Sequence, residues 1–192
     1  DLQNKGVHIV ETLWKNKFDR SEAVNYFEQL GAEEIIIKPN ISASADNTYR
    51  LNKDTLTAFF DILENTFSKR EFMIQPFIKN IIEEGEYSLF FFNGRYSHSV
   101  LKIPKDNDFR VQEEHGGNIQ PVTASELIVN SAQNIINKLP TIPLYARVDL
   151  VRVNNNQFAL MELELIEPSL YLNKDSEAPL KFVKAFVEKI ES

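Results

Sequence analysis

The stretch ARVDLVRVNNNQFALMELELIEP (146–168) interrupts two apolar runs at alternate positions with Arg147, Asp149, Glu162 and Glu164. An Asn155-Asn156 type I′ turn between them, which Asn tolerates at positive φ, would oppose Asp149 to Glu162 and Arg147 to Glu164. A three-residue turn would shift these pairs but could leave the acids clustered. Side chains alternate along a strand, so all four charged residues share one face. The other face sets Ala146, Val148 and Leu150 against Met161, Leu163 and Leu165. Directly opposed like charges are destabilising, and two carboxylates so placed do not both ionise cheaply unless a cation sits between them. Asp149, Glu162 and Glu164 offer oxygen alone, which suits Mg²⁺ or Mn²⁺. A solvated polar face with an Arg–Glu cross-strand pair is the competing reading, and the hairpin by itself does not separate the two.

A metal held by a few carboxylates usually shares its shell with phosphate, so the remaining parts of a nucleotide site are worth seeking. Lys38 ends the apolar strand EEIIIKP (33–39). The small polar loop NISASADN follows it, with Ser42 and Ser44, and its backbone N–H groups are of the kind that cradle phosphate oxygens. The run IQPFI (74–78) contributes Gln75, Pro76, Phe77 and Ile78. There the Pro76 C=O and the Ile78 N–H are spaced to pair adenine through backbone alone. Taken singly, a lysine at a strand end is more often merely solvated, and IQPFI more often an ordinary edge strand.

The elements that must position these residues divide into two α+β lobes, with a boundary near residue 70 (1–70 and 71–192). In the first, GVHIVETLW (6–14) reads as a short strand. SEAVNYFEQLG (21–31) reads as a helix with Ser21 as N-cap and Gly31 as its stop. EEIIIKP is a buried strand, 40–50 a loop, and 51–69 a helix with apolar residues at helical spacing. In the second, EFMIQPFI (71–78) is strand-like, and YSLFFFNGRYSHSVLKI (87–103) is a hairpin turning at Asn93-Gly94. A polar loop at 106–121 with room for one short strand, a helix at 123–138, the carboxylate hairpin and a helix at 178–190 complete it. The fold class is α+β with antiparallel sheets.

Composition narrows the classes. The chain has 192 residues, 43% hydrophobic and 26% charged, which is the balance of an ordinary globular chain. A net charge of −7 argues against an extended nucleic-acid footprint but leaves room for a locally basic nucleotide site. The absence of cysteine excludes disulfides, thiolate metal sites and a Cys nucleophile. No apolar run approaches the ~20 residues of a membrane span, and no signal peptide is visible. The first residue is Asp1, and DLQNKG reads as the end of a helix already under way, so an upstream segment is expected.

In order and spacing, the chain resembles the ATP-grasp superfamily, the fold of prokaryotic glutathione synthetase and D-alanine–D-alanine ligase, from GVHIVET to about Tyr171. IIIKPNISAS is similar to the family's lysine strand and phosphate loop, and MIQPFI to its hinge. EEGEYSLFFFNG matches the segment in which Glu86 would hold the ribose hydroxyls. KIPKDNDFRVQEEHGG matches the region of a basic phosphate contact, with Arg110 as first candidate and Lys102 as second. RVDLVR and MELELIEP match the signature hairpin. There Arg147 falls at the arginine that steadies the acyl phosphate, and Asp149, Glu162 and Glu164 at the metal ligands. Two departures stand out. The phosphate loop carries Ser and Ala where many members have Gly, and Glu164 stands where the two named families have Asn. The family's N-terminal substrate domain and its first ATP-contacting lysine have no counterpart before residue 6.

The resemblance implies two lobes gripping ATP with Mg²⁺ or Mn²⁺, closing about the hinge near residues 70–78. It implies ligation of a carboxylate to an amine through an acyl phosphate, on small metabolites or peptides. A non-catalytic nucleotide-binding module is the alternative, and the presence of Arg147 beside all three acids favours the enzyme. The expected partners are small carboxylate and amine substrates, with no nucleic acid and no membrane, in the cytoplasm; homo-oligomerisation is left open. EPSLYLNKD (167–175) could reach an acceptor substrate, with Ser169 as its polar contact, or be a plain loop exit; His98 reads as structural.

Overall fold

The computed structural model of the chain describes residues 1–154 and 156–191; the expected Asn155-Asn156 turn includes Asn155 and so lies outside the described residues. Two compact units are present, Val10–Ile78, and Asp1–Ile9 together with the chain from Lys79 onward. Among the described residues no helix is long and apolar enough to cross a membrane.

The unit Val10–Ile78 contains β1 (Leu13–Lys15), α1 (Arg20–Ala23), α2 (Tyr26–Gln29), β2 (Glu34–Pro39), β3 (Tyr49–Asn52), α3 (Lys53–Leu56), α4 (Phe60–Phe67) and β4 (Phe72–Pro76). Its antiparallel sheet runs β1-β4-β2-β3. The strand of EFMIQPFI, placed after the residue-70 boundary on sequence, therefore pairs inside this sheet, with Ile37 opposite Ile74. Ile35, Ile37, Leu51 and Ile74 are buried with Leu63 and Phe67 of α4, so one sheet face is the core. Alternation puts Ile36, Lys38, Arg50, Met73 and Gln75 on the other face.

Three local expectations change here. The strand over 6–14 shrinks to β1, and Ile9 makes an isolated parallel bridge to Leu160 instead. The helix over 21–31 breaks into α1 and α2, and its N-cap is Asp19, whose carboxylate accepts the Ser21 N–H at 2.8 Å. Gly31 does end it, at φ 57°. Tyr49–Asn52 is a strand, because Asn52 stops it by forming a reciprocal capping box with Thr55 at the start of α3.

The other unit contains α5 (Asn80–Glu83), β5 (Glu86–Phe92), β6 (Arg95–Ile103), β7 (Asn118–Pro121), α6 (Glu126–Asn137), β8 (Tyr145–Asn154), β9 (Gln157–Glu164) and α7 (Ala178–Glu191). Its antiparallel sheet runs β7-β6-β5-β8-β9. Asn93 and Gly94 both take positive φ, 46° and 72°, as a type I′ turn requires. Leu89, Phe91, Ala146, Val148 and Leu150 pack on Ile128, Ala132 and Ile136 of α6. That contact fixes which face of β5 and β8 is apolar, and so which face carries the charges.

At the β8–β9 hairpin the expected pairs form, Arg147 with Glu164 and Asp149 with Glu162. Leu150 then pairs with Leu160, so the register slips by one and Met161 is the extra residue of a bulge. Leu160 consequently takes the core position opposite Leu150 that was expected of Met161, Phe158 joins the core further along β9, and Leu165, past the end of β9, is left 36% exposed.

Gly85 precedes Glu86 at φ 108°, and a Cβ there would lie 2.8 Å from the Lys102 carbonyl oxygen. Gly85→Ala is expected to cost about 2–3 kcal/mol through backbone strain and overpacking. The measurement is a lowered urea midpoint at constant m-value, and an unmoved midpoint would show that the β5–β6 junction has room to give.

Candidate active site

The charged face is built from four adjacent strands. β5 supplies Glu86 and Ser88, β6 supplies Lys102, β8 supplies Arg147 and Asp149, and β9 supplies Glu162 and Glu164. Cross-strand register aligns them, with Glu86 opposite Lys102 and Ser88 opposite Asp149. Lys102 Nζ donates to Glu86 Oε1 at 3.2 Å and to Asp149 Oδ2 at 3.1 Å. Ser88 Oγ–H donates to Asp149 Oδ1 at 2.6 Å. Arg147 donates through Nε to both Asp149 oxygens, at 3.1 and 3.0 Å, and through Nη2 to Oδ2 at 2.9 Å. Its Nη2 also hydrogen-bonds Glu164 Oε1 and lies 3.8 Å from Glu162 Oε2.

Burial makes these pairs consequential. Asp149 is 1% exposed, Lys102 5% and Glu86 8%. Burial raises the Asp149 carboxyl, but Lys102, Arg147 and their hydrogen bonds outweigh it and hold it below the ordinary range. Glu86 goes the other way, because burial, helped by the charges of Asp149 and Glu162, outweighs the attraction of Lys102. Burial pulls the Lys102 ammonium down, yet Asp149 and Glu86 keep it above its ordinary value. Arg147 is likewise raised against burial by Asp149, Glu164 and Glu162. Both cations are thus charged at any working pH, and the two inner carboxyls are driven apart.

Oxygens of Asp149, Glu162 and Glu164, one from each, all lie within 4.8 Å of one another. A hard-oxygen set of that compactness, carrying more acid than its own cations neutralise, fits a divalent metal such as Mg²⁺ or Mn²⁺.

The remaining sequence candidates lie on other elements. Arg110 is clamped in its own loop, where its Nη2 donates to Asp108 Oδ2 at 2.8 Å; that pairing draws the Asp108 carboxyl far below its usual range. Lys38, Ser42, Ser44 and the run Gln75–Ile78 belong to the unit Val10–Ile78. Lys38 is half-buried on the non-core sheet face. In the loop after it, Ser44, Ala45 and Asn47 take φ of 51°, 53° and 53°, the conformation that glycine adopts without cost. Ser42 Oγ donates to the Asp46 carbonyl at 3.0 Å. Gln75 is buried and donates from Nε2 to Thr12 Oγ1 at 2.9 Å, while its Oε1 has no hydrogen-bond partner among the described residues. The Phe77 N–H donates to the Glu34 carbonyl at 2.9 Å, so by alternation the Pro76 C=O points away from β2.

Sequence reasoning missed Ser88 as the buried hydroxyl that orients Asp149. A clue was present, because Ser88 is two residues from Glu86 on one strand and so shares its face. It also missed how the segment after β9 is tied down. The His98 Nε2–H donates to the Leu170 carbonyl at 3.0 Å, and Lys174 Nζ donates to the Ile119 carbonyl at 3.0 Å. His98 itself is buried and stacked on Phe90 at 4.4 Å, the structural role expected of it.

Lys102→Met strands Glu86 and Asp149 without their shared cation, and an unpaired buried charge of this kind costs roughly 3–5 kcal/mol. Protonation relieves it, and Glu86, whose carboxyl is already raised, takes up the proton first. A raised carboxyl gains stability as pH falls through its folded-state value, so the deficit is expected to shrink between pH 7.5 and 5.5. Urea titrations at the two pH values measure it; an identical deficit at both would mean that neither acid takes up a proton in place of Lys102.

Residues 12–162 match the family described as the prokaryotic glutathione synthetase ATP-grasp domain. The whole chain is 27% identical, over 205 residues, to the cycloserine biosynthesis protein DcsG of Streptomyces lavendulae, and spans 68% of that protein. Crystallographic D-cycloserine synthetase DcsG superposes with a TM-score of 0.82 at 24% identity, over 98% of this chain and 67% of that one. D-alanine–D-alanine ligase from Bacillus anthracis gives 0.70 at 18% identity, over 97% and 63%. The ATP-grasp ligase PsnB, complexed with a phosphomimetic variant of its minimal precursor, Mg and ADP, gives 0.68 at 16%, over 96% and 55%. The chain accordingly belongs to the prokaryotic glutathione synthetase ATP-grasp family and is an ATP-grasp ligase of the carboxylate–amine class.

Proposed function

We propose that the ligase activates an amino-acid-sized carboxylate with ATP and transfers the acyl group to an amine, with Arg147 at the reacting centre. The observation that supports this most is the position of Arg147, a permanently charged guanidinium seated among Asp149, Glu162 and Glu164. A binding module has no use for a cation that a developing oxyanion would need. The similarity to D-cycloserine synthetase, over the full chain, supports a small acyl substrate more than a peptide.

The chemistry asks the protein to cancel negative charge twice. A substrate carboxylate oxygen attacks the γ-phosphorus of ATP, the bond to the ADP oxygen breaks, and an acyl phosphate forms. An amine then adds to the acyl carbon, and the tetrahedral oxyanion collapses with loss of phosphate and an amine proton. Arg147 faces the charge that builds on the acyl phosphate and on that oxyanion, and preorganised cations of this kind are among the largest catalytic contributions. Asp149, Glu162 and Glu164 would hold the divalent cation, which when bound neutralises phosphate oxygens. Lys102, locked between Glu86 and Asp149, fixes the orientation of both acids, and Glu86 is proposed to receive the ribose hydroxyls.

In the unit Val10–Ile78, Lys38 and the backbone around Ser42 and Ser44 are proposed as phosphate contacts. The Pro76 C=O and Ile78 N–H, flanked by Gln75 and Phe77, are proposed for adenine, and Gln75 Oε1, without a partner among the described residues, is an acceptor suited to its exocyclic amine. Arg110 is proposed to serve phosphate only after exchanging its bond to Asp108.

The test supplies Mg²⁺, ATP, D- and L-alanine and serine as carboxylates, and hydroxylamine as the trapping amine. ADP and hydroxamate are expected together, only when a carboxylate is present. Arg147→Met is expected to lower hydroxamate formation about 10²–10³-fold, in the range of losing an oxyanion donor, while ATP binding is retained. ADP release indifferent to the carboxylate, or an unchanged rate in Arg147→Met, would overturn the assignment.

A further inference from the structure

Arg147 stands where the carboxylates converge. Its Nη2 is 2.9 Å from Asp149 Oδ2, bonded to Glu164 Oε1 and 3.8 Å from Glu162 Oε2. One guanidinium nitrogen therefore addresses all three residues whose oxygens form the compact acidic group. The lone pairs of Asp149 are fully subscribed. Ser88 and Arg147 Nε use Oδ1, and Lys102 and Arg147 use Oδ2. A carboxylate offers about four acceptor sites, so no further partner reaches Asp149 while Arg147 keeps its bonds.

The three donors are not equally replaceable. Ser88 is wholly buried, and Lys102 is tied to Glu86 as well. Arg147 has its other partners at the open side, where the Glu162 and Glu164 side chains are 54% and 30% exposed. Resting on the reading that these three acids hold the metal, we propose that Arg147 is a tethered stand-in for it. Its guanidinium and a divalent cation exclude each other at the carboxylates, so metal binding and release of Arg147 toward the substrate are one step. The arrangement imposes an order on assembly. Arg147 becomes available to the acyl phosphate once metal is in place, and otherwise keeps the acids neutralised so that the β8–β9 hairpin stays closed.

Mn²⁺ binding, followed by electron paramagnetic resonance in the wild type and in Arg147→Gln, tests the exclusion. A site whose competitor is present about nine-tenths of the time loses about tenfold in apparent affinity, so Arg147→Gln is expected to bind Mn²⁺ about tenfold more tightly. Equal or weaker binding by Arg147→Gln, with the wild type binding, overturns the proposal and leaves the metal reading standing. Failure of both proteins to bind Mn²⁺ overturns both. Loss of a nearby positive charge also tightens metal binding, so a second arm follows the native side chain. In ¹⁵N-arginine-labelled wild type, exchange of the Arg147 Nε–H with water is expected to accelerate about tenfold or more on saturation with Mg²⁺, because Nε gives up both Asp149 oxygens. Protection that Mg²⁺ leaves unchanged overturns the proposal.

Discussion

One buried ammonium organises the five-stranded sheet. Lys102 lies between Glu86 and Asp149 at 3.2 and 3.1 Å, with all three residues under a tenth exposed. Ions removed from water at a cost of several kcal/mol each persist only when their geometry is nearly complete. Here completeness requires three strands in one register, because β6 carries the lysine, β5 one acid and β8 the other. A one-residue slip of any of them would turn its charge toward the apolar face under α6. The polar face and the core thus specify the same alignment from opposite sides.

Arg147 extends that network toward solvent. It shares Asp149 with Lys102 and carries the charge balance out to Glu162 and Glu164, whose exposure rises toward the sheet edge. The gradient from a dry, fully bonded Asp149 to a half-open Glu162 gives the site a fixed floor and a negotiable rim. The bulge at Met161 sits where one becomes the other. It lets β9 keep Leu160 and Phe158 in the core while Glu162 and Glu164 hold the charged face.

The unit Val10–Ile78 is arranged on a different principle. Its core face is aliphatic and aromatic, and its opposite face presents Lys38, Arg50 and Gln75 at fixed strand positions. Arg50 is itself steadied, paired with Glu34 at 2.7 Å and lying 3.7 Å over the Phe77 ring. The loop after Lys38 departs from this rigidity. Three residues other than glycine take left-handed backbone there, a conformation with a real cost that persists only where surroundings or function require it.

Much of this was legible in the residues. Alternation placed Arg147, Asp149, Glu162 and Glu164 on one face, Asn93-Gly94 marked its hairpin, and helical spacing marked α6 and α7, because each signal is local and periodic. The order of short motifs along the chain pointed to ATP-grasp, and the family match bears that out. Tertiary structure alone decided the rest. Lys102, on sequence the second candidate for a phosphate contact, donates to Glu86 and Asp149, partners 16 and 47 residues away, because β6 pairs with β5 and β5 with β8. Ser88 is one hydroxyl in an aromatic run until β8 arrives beside it. Sequence by itself determined that Arg147, Asp149, Glu162 and Glu164 share a face, though not the bulge at Met161 that moves Leu160 into the core. Only the fold determined which strands lie side by side, because strand pairing joins residues far apart in the chain, and burial then turns that proximity into charge, orientation and chemistry.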